Sequence, residues 1–509
     1  MKHLVLFLLF VSPLNAQEAG PFPAATPESV GLTTAGVNAV RDEVAGYVKS
    51  GTIVGGELLI VKNRKAVLHE VFGDRDREDK KPMEKNTIFN IRSQTKSLTG
   101  AAMQMLIDEG KVQLNDPAAK YLPSFDNEKS REITVEQLLT HRSGLPLSII
   151  TVSISQFPNL QAQVEAIGKR GPQFKPGEKF WYSDAGTDVV AAIVEKVSGM
   201  TIDQFITERL LRPLGMHDSF YPTKADDPRK ARLASLYIGQ PNKWTRFWKP
   251  GGAPMYPFAW GSQTLYSTPL DYARYLACWL DGGKAKGKQI LSAEAMKRIL
   301  TPVSHMTTLG TGDPMPTSFF GLKPYYGQMS VLHAAGDTPA TAKVKVIGHS
   351  GSDGTVGWAF PEQDLIICYF TQSRGQATPI RLESTVSREF LKTAADATPI
   401  PAAWKPYVGS YYANFAHYKN TPFKVVYQNG CLALDIPDQL VFELKPLDKE
   451  GHFAFAFTDK ITIAFQQDAA GKVTALKLTQ AGKTIEIPTE PGKIEPPKKE
   501  GSDKPRAMA

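Results

Sequence analysis

Apolar positions change their period several times along this chain. Val37, Val40, Val44, Tyr47 and Val48 recur at three- to four-residue intervals, the stripe of a helix. The run Ile53-Val54-Gly55-Gly56-Glu57-Leu58-Leu59-Ile60-Val61 follows, then Lys65-Ala66-Val67-Leu68-His69-Glu70-Val71-Phe72, which predicts a strand hairpin turning near Asn63. The middle reads helical. Ser97-Leu98-Thr99-Gly100-Ala101-Ala102-Met103-Gln104-Met105-Leu106 is apolar-periodic, and Asp188-Val189-Val190-Ala191-Ala192-Ile193-Val194-Glu195-Lys196-Val197 is unbroken until Ser198-Gly199. From 344 to 371 the pattern alternates through two glycine-rich turns, as strands do. A sheet built from both ends of this region around a helical middle is the expected architecture.

Thr398-Pro399-Ile400-Pro401-Ala402-Ala403 punctuates the chain, so residues 395–404 read as a linker. Beyond it Phe453, Phe455 and Phe457, then Ile461, Ile463 and Phe465, then Leu476 and Leu478 alternate, with turns expected at Asp459-Lys460 and Ala470-Gly471. Residues 405–490 are therefore a small antiparallel β domain, either a cavity-bearing binding module or a domain that packs beside the main one. The Pro- and Lys-rich residues 491–509 read as a disordered tail. At the other end, Lys2, the run Leu4-Val5-Leu6-Phe7-Leu8-Leu9-Phe10-Val11 and Leu14-Asn15-Ala16 carry the charged, apolar and small-residue parts of a secretory signal. Ser12, Pro13 and Asn15 cut that run short of a membrane span. Residues 1–16 are read as a signal cleaved near Ala16, residues 17–29 as an arm, and the mature protein as secreted or periplasmic, without stable membrane insertion.

The 509 residues are 42% apolar and 22% charged, enough for more than one core. A formal charge of +8 is spread over scattered Lys and Arg, which argues against a nucleic-acid stripe. Cys278, Cys368 and Cys431 make no disulfide framework and are expected as buried thiols. The nine histidines contain no His-x-His or His-Glu-x-x-His, so neither metal nor cofactor is implied. Gly282-Gly283-Lys284-Ala285-Lys286-Gly287-Lys288-Gln289 lacks the Ser or Thr of a phosphate loop and reads as a helix-ending turn. His141 and His217 sit in turns and read as structural. Tyr256, Phe258 and Trp260 are candidates to wall a pocket, with core packing as the commoner fate of such residues.

The chemistry concentrates in three short motifs. Ser93-Gln94-Thr95-Lys96 puts a hydroxyl and an amine one helical turn apart at the head of a helix, where unpaired N–H groups favour a developing oxyanion. Tyr182-Ser183-Asp184 and His349-Ser350-Gly351, the latter followed by Ser352-Asp353-Gly354, come next in order. The order and spacing resemble the serine hydrolases that include class C β-lactamases, D-alanyl-D-alanine carboxypeptidases, D-aminopeptidases and β-lactamase-like carboxylesterases. Thr87-Ile88-Phe89-Asn90-Ile91, Leu138-Leu139-Thr140-His141-Arg142-Ser143-Gly144-Leu145-Pro146, Arg212-Pro213-Leu214-Gly215-Met216 and Ser267-Thr268-Pro269-Leu270-Asp271-Tyr272-Ala273-Arg274 extend the likeness over residues 30–394. The trailing β domain resembles the lipocalin-like modules found in that group.

The resemblance implies an α+β fold: a β-lactamase/transpeptidase-like domain with an antiparallel sheet flanked by helices and a helical subdomain, followed by the small β domain. It implies a Ser93 nucleophile activated by Lys96 and Tyr182, and an oxyanion hole of the Ser93 and Ser352 N–H groups. Ser148, Ser350, Gly351 and Trp260 are the candidate substrate contacts. Three positions depart from the pattern. Asp184 stands where Asn is usual, and a carboxylate there raises the Lys96 pKa and shifts proton abstraction to Tyr182. His349 stands where β-lactamases mostly carry Lys, and an imidazole titrates near neutrality. Ser148 stands where class C enzymes tend to have Gln. The expected function is hydrolysis of a small peptide, amide or ester, with D-amino-acid peptides or amides ahead of carboxylesters and β-lactams. The contrasting reading is an inactive binding protein using the same cleft.

Overall fold

A computed structural model describes residues 20–148, 156–224, 226–308, 311–391, 398–437, 439–449 and 451–492. The signal segment, the first part of the linker and nearly all of the tail lie outside the described residues.

Nine antiparallel strands form the central sheet, in the order Ser304–His305, Lys323–Tyr326, Val331–Ala335, Lys343–Gly351, Thr355–Phe360, Leu365–Thr371, Gly55–Lys62, Lys65–Asp76 and Lys81–Pro82. The two ends of the domain meet in its middle, with Gly56 opposite Thr371 and Lys62 opposite Leu365. The first hairpin turns at Asn63 and Arg64, both at positive φ (50° and 59°), the conformation whose twist matches that of the flanking strands.

Side-chain alternation sorts these strands between two cores. Leu58, Ile60, Leu365, Ile367 and Tyr369 face Val37, Val40 and Val44 of the Thr34–Lys49 helix and Leu382 and Val386 of the Thr378–Phe390 helix. Leu59, Val61, Ile366, Cys368 and Phe370 face the other way, toward Leu98, Tyr272 and Leu276. Strands covered on both faces need no polar positions, so Thr355–Phe360 and Leu365–Thr371 are buried throughout and lack the expected polar alternation. One of the two expected glycine-rich turns is also different: Pro361–Gln363 form a 3-10 turn closed by Asp364 at φ 45°, with no glycine.

The helical subdomain packs Thr95–Asp108 against Asp184–Ser198, which ends at Gly199 with φ 72°. A Cβ on Gly261 would lie 2.8 Å from both Ala191 Cβ and Thr187 O, so only glycine lets the following loop settle between these helices.

Eight consecutive antiparallel strands, Gly409–Ala413, Thr421–Gln428, Cys431–Asp435, Val441–Pro446, His452–Phe455, Thr458–Gln467, Val473–Gln480 and Lys483–Pro488, make a nearly closed C-terminal barrel. Its core is filled by Tyr411, Phe423, Leu432, Leu434, Leu444, Phe453, Phe455, Ile463 and Leu476. Ile400 and Trp404 pack against that core from the preceding segment. The turn expected at Asp459-Lys460 lies instead at Ala456 and Phe457, because the Ala456 N–H donates to Glu443 O at 2.7 Å and starts the next strand at Thr458. The Ala470-Gly471 turn is present, closed by Gly471 N–H on Asp468 O. Cys278 and Cys368 are buried thiols, whereas Cys431 is only partly buried, with Sγ 3.4 Å from Gln428 O.

The barrel docks on the larger domain through polar ties and apolar packing. Arg381 donates to Ile436 O at 2.8 Å and lies 3.2 Å from Asp435 Oδ1. The Gly321 N–H donates to Glu443 Oε2 at 2.9 Å, and Phe320 packs with Ala433 and Val441. Among the described residues no helix is long and apolar enough to cross a membrane, and no cluster of His, Cys, Asp and Glu is arranged for a metal ion.

Glu383, buried on the Thr378–Phe390 helix, accepts from Ser318 N and Thr317 Oγ1, each at 3.0 Å. Burial pushes its carboxyl up to about 8 against these two hydrogen bonds. A group raised on folding stabilises below its unfolded pKa, and that stability is lost as pH rises through the folded value. Glu383→Gln should therefore shrink the fall in Tm between pH 5 and 8 by a few degrees, about 2–4 °C for each kcal/mol relieved. Calorimetry of both proteins checks this, and an unchanged slope would show that Glu383 is ionised in the folded state.

Candidate active site

Ser93 lies in the 3-10 turn Arg92–Gln94, which runs directly into the Thr95–Asp108 helix. The residue before it, Arg92, holds φ at 46°, a region costing a non-glycine residue about 1 kcal/mol or more. Ser93 is partly exposed, while Lys96 one turn on is fully buried. The Lys96 ammonium donates to Ser93 Oγ at 3.2 Å and to Ser262 O at 3.0 Å, and forms a 2.6 Å ion pair with Asp184 Oδ1. Its Nζ also sits 4.9 Å from the centre of the Tyr182 ring. Burial works against the charge, but Asp184 and then Tyr182 outweigh it and hold Lys96 above the usual lysine value.

Tyr182 and Asp184 flank Ser183, whose hydroxyl accepts from Gly186 N at 2.8 Å and caps the Asp184–Ser198 helix. The cap puts the Asp184 carboxylate in the first turn, where the helix dipole favours it. Burial raises the Tyr182 pKa, Lys96 lowers it and Asp184 raises it again. The Tyr182 ring packs at 4.5 Å on His141, which packs at 4.6 Å on Tyr326. Ser183 N–H donates to His141 Nδ1 at 3.3 Å and Trp181 N–H to His141 O at 2.7 Å, so this buried histidine holds the tyrosine from both sides.

His349 corrects an expectation. Far from titrating near neutrality, it is pushed down to about 3, by burial first and then by Lys96. Its Nδ1 lies 2.8 Å from Ser350 O and its Nε2 3.4 Å from Tyr326 Oη, the pattern of a neutral ring donating from Nδ1 and accepting at Nε2. Ser350 itself is exposed at the end of the Lys343–Gly351 strand. A Cβ on Gly351 would come within 2.3 Å of Ile91 O, so glycine is what lets this strand end press against the Ser93 turn. Ser352 is exposed in the turn that follows. Ser148 is half-buried beside Leu147, whose carbonyl accepts from Asp184 N at 2.8 Å. Trp260 does not stand in the open: it is buried in an edge-on cluster with Tyr256 (4.9 Å) and Phe258 (5.4 Å), the core fate of such residues.

Residues outside the motifs complete the arrangement. Asp188, one turn after Asp184, accepts from Ser262 N at 3.0 Å and from Gln163 Nε2 at 2.9 Å, fixing the loop whose carbonyl holds Lys96. Burial, then Asp184, push it up to about 8. Gln263 donates to Asp184 Oδ2 at 3.3 Å, and Tyr326 supports both His141 and His349. The available sequence signal was Asp188 itself, a carboxylate at the head of an otherwise apolar helix and four residues from Asp184. The Ser262 carbonyl and the Gln263 contact carry no comparable signal, since they depend on where a loop falls.

The beta-lactamase family model matches residues 40–390, and the chain belongs to that family. A protein of Mycobacterium tuberculosis, Rv1367c, is 28% identical over 357 residues, covering 64% of this chain and 86% of its own length. The octameric penicillin-binding protein homologue from Pyrococcus abyssi superposes with a TM-score of 0.57 at 22% identity, covering 89% of this chain and 98% of its own, which extends past the catalytic domain into the barrel. D-amino acid amidase from Ochrobactrum anthropi SV3, complexed with D-phenylalanine, gives 0.55 at 22% identity, covering 70% of this chain and 98% of its own. At these identities the two structures establish a shared fold.

Asp184 raises the pKa of both Lys96 and Tyr182. Asp184→Asn should thus move the acidic limb of kcat/KM to lower pH by about one unit or more, whichever of the two is the base. The fitted values belong to the coupled group. A limb that stays in place would show that Asp184 is not the ionised partner of Lys96.

Proposed function

We propose that this protein is an exported serine hydrolase, cleaving an amide or ester through an acyl-enzyme on Ser93, with D-amino-acid amides or peptides ahead of carboxylesters. The observation that carries the reading is the convergence of Lys96 Nζ on Ser93 Oγ, Asp184 and the face of Tyr182 at a partly exposed helix head. The Ser93 proton passes to Tyr182 in its phenolate form, a minor form at neutral pH that the Lys96 ammonium stabilises, as Ser93 Oγ attacks the carbonyl carbon. The carbonyl electron pair moves onto oxygen, facing the Ser93 and Ser352 N–H groups. On collapse, the leaving amine or alcohol takes the proton from Tyr182. Water then attacks the acyl carbon, again giving up its proton to Tyr182, and Ser93 is released with its hydrogen restored.

The substrate preference rests on charge. Lys96 is paired with Asp184, His349 is neutral, and the buried Arg92 is paired with Asp353 at 2.6 Å. With its charges matched internally, this centre has little to offer a substrate carboxylate, so neutral amides and esters suit it better than β-lactams. The His349-Ser350-Gly351 motif, which resembles the His-x-Gly of D-peptidases and D-aminopeptidases, supports the amide over the ester; the fold is shared both with D-amino acid amidase and with the hydrolase EstCE1 and does not decide between them.

Ser93→Ala should abolish both turnover and labelling by a fluorophosphonate probe while shifting stability by only about 1 kcal/mol. Tyr182→Phe should slow acylation at least about a hundredfold in single-turnover release from an ester. Unchanged hydrolysis by Ser93→Ala would overturn the proposal, whereas a wild-type protein that neither hydrolyses these substrates nor takes the fluorophosphonate would leave an inactive binding protein as the reading. Nitrocefin should be a poorer substrate than D-amino-acid amides or short p-nitrophenyl esters. A nitrocefin kcat/KM above all of these would reverse the substrate preference.

A further inference from the structure

Arg92 and Asp353 occupy the positions next to the two residues whose backbone N–H groups face the substrate oxygen in the reading above, on which this inference rests. Arg92 immediately precedes Ser93, and Asp353 immediately follows Ser352. Arg92 Nε donates to Asp353 Oδ2 at 2.6 Å, with both side chains almost wholly buried at 3% and 1% exposure. The guanidinium is held from a second direction, because Nη1 donates to Tyr256 Oη at 2.6 Å, where Asn90 Nδ2 also donates at 2.7 Å. Asn90 Oδ1 in turn accepts the Arg92 N–H at 3.1 Å. On the other side Arg374, partly exposed, reaches only to 4.0 Å from Asp353 Oδ1.

The backbone of the two turns is joined at the same place. Ile91 O accepts from Gln94 N at 3.1 Å within the Ser93 turn and from Thr355 Oγ1 at 3.3 Å across from the strand turn. Gly354 N–H donates to Gly351 O at 2.9 Å, closing the turn that carries Ser352 and Asp353. The positive φ of Arg92 sets the direction of the Ser93 peptide, and a residue without the buried anchor would have reason to relax from it.

We propose that the Arg92–Asp353 ion pair is a positioning clamp, which fixes the spacing and direction of the Ser93 and Ser352 N–H groups as an oxyanion hole. A lysine cannot replace it, since one ammonium cannot reach Asp353 and Tyr256 along the two diverging directions of a planar guanidinium.

The test measures p-nitrophenyl acetate hydrolysis, inhibition by phenylboronic acid and thermal unfolding for Arg92→Lys, Asp353→Asn and the double variant Arg92→Met with Asp353→Leu, which strands no buried charge. In each folded variant kcat should fall about a hundredfold, the loss seen when one oxyanion donor is removed, with KM within about threefold. The boronate, whose tetrahedral adduct places a hydroxyl in the hole, should weaken in proportion to kcat/KM. The double variant should lose no more than either single one. If the single variants fail to fold, the double variant decides. The clamp is overturned if folded variants keep kcat within about threefold, if the rate falls while boronate affinity holds, or if the double variant recovers the wild-type rate. Ser93→Ala is the control: full activity there would bring down the site reading and the clamp together, whereas an inactive Ser93→Ala beside active Arg92 variants would remove the clamp alone.

Discussion

A fully buried ammonium needs a counter-charge, and much of the site's construction follows from that requirement. Removing one partner of a buried pair typically destabilises by about 3–5 kcal/mol, because the other is left charged without water. Lys96 meets the requirement with Asp184 at 2.6 Å and the Ser262 carbonyl at 3.0 Å. Each of these is anchored in turn. Ser183 caps the helix that presents Asp184, Gln263 donates to its second oxygen, and Asp188 holds the Ser262 backbone. Gly261 lets that loop reach down between the two helices. The aspartate in place of asparagine therefore changes the electrostatics of the centre as a whole, not of one hydrogen bond. It fixes the amine as a cation and raises the neighbouring phenol, so in the proposed mechanism proton transfer at Ser93 has to be managed by a charged pair beside a tyrosine.

Local pattern carried a good deal of this fold, and the reasons for its failures are specific. The Thr34–Lys49 helix, the hairpin at Asn63 and the Asp184–Ser198 helix ending at Gly199 follow from short-range signals that burial reinforces. A sheet built from both ends of the domain was expected, but which strands pair was not; the structure sets Gly55–Lys62 against Leu365–Thr371, segments about three hundred residues apart. Where two packed faces removed the need for polar residues, as in Thr355–Phe360, alternation vanished and only length and bounding turns marked the strand. The misplaced barrel turn has a similar origin: Asp459 and Lys460 are good turn residues, but a backbone bond from Ala456 to Glu443 decides where the chain reverses.

The candidate site was legible in its motifs and less so in its environment. Spacing alone put Ser93 and Lys96 one helical turn apart, and the resemblance carried by the three motifs put Tyr182 and Asp184 with them. What spacing could not give was the dielectric around each group. His349 belongs to a motif, yet its behaviour comes from burial beside Tyr326 and near Lys96, both remote in sequence. His141 was visible only as a turn residue, though it braces Tyr182 by ring contact and by hydrogen bonds to the residues on either side. Trp260 shows the converse, an aromatic beside a pocket-like segment that is spent on the core.

The two buried ion pairs divide the labour in a way that bears on how such a site tolerates change. Lys96–Asp184 touches Ser93, so in the proposed mechanism its charge state enters the proton transfer itself. Arg92–Asp353 lies behind the backbone turns and touches no hydroxyl that reacts; through it, the turn after the Lys343–Gly351 strand is tied to the turn that carries Ser93. The first pair can be retuned by substituting a neutral residue, because a neutral amide still satisfies part of the ammonium. The second has a different tolerance, since its contribution is geometric and depends on a planar cation held from two sides. Separating proton handling from oxygen positioning lets the former shift with substrate and pH while the latter stays fixed by the packing between sheet and helical subdomain.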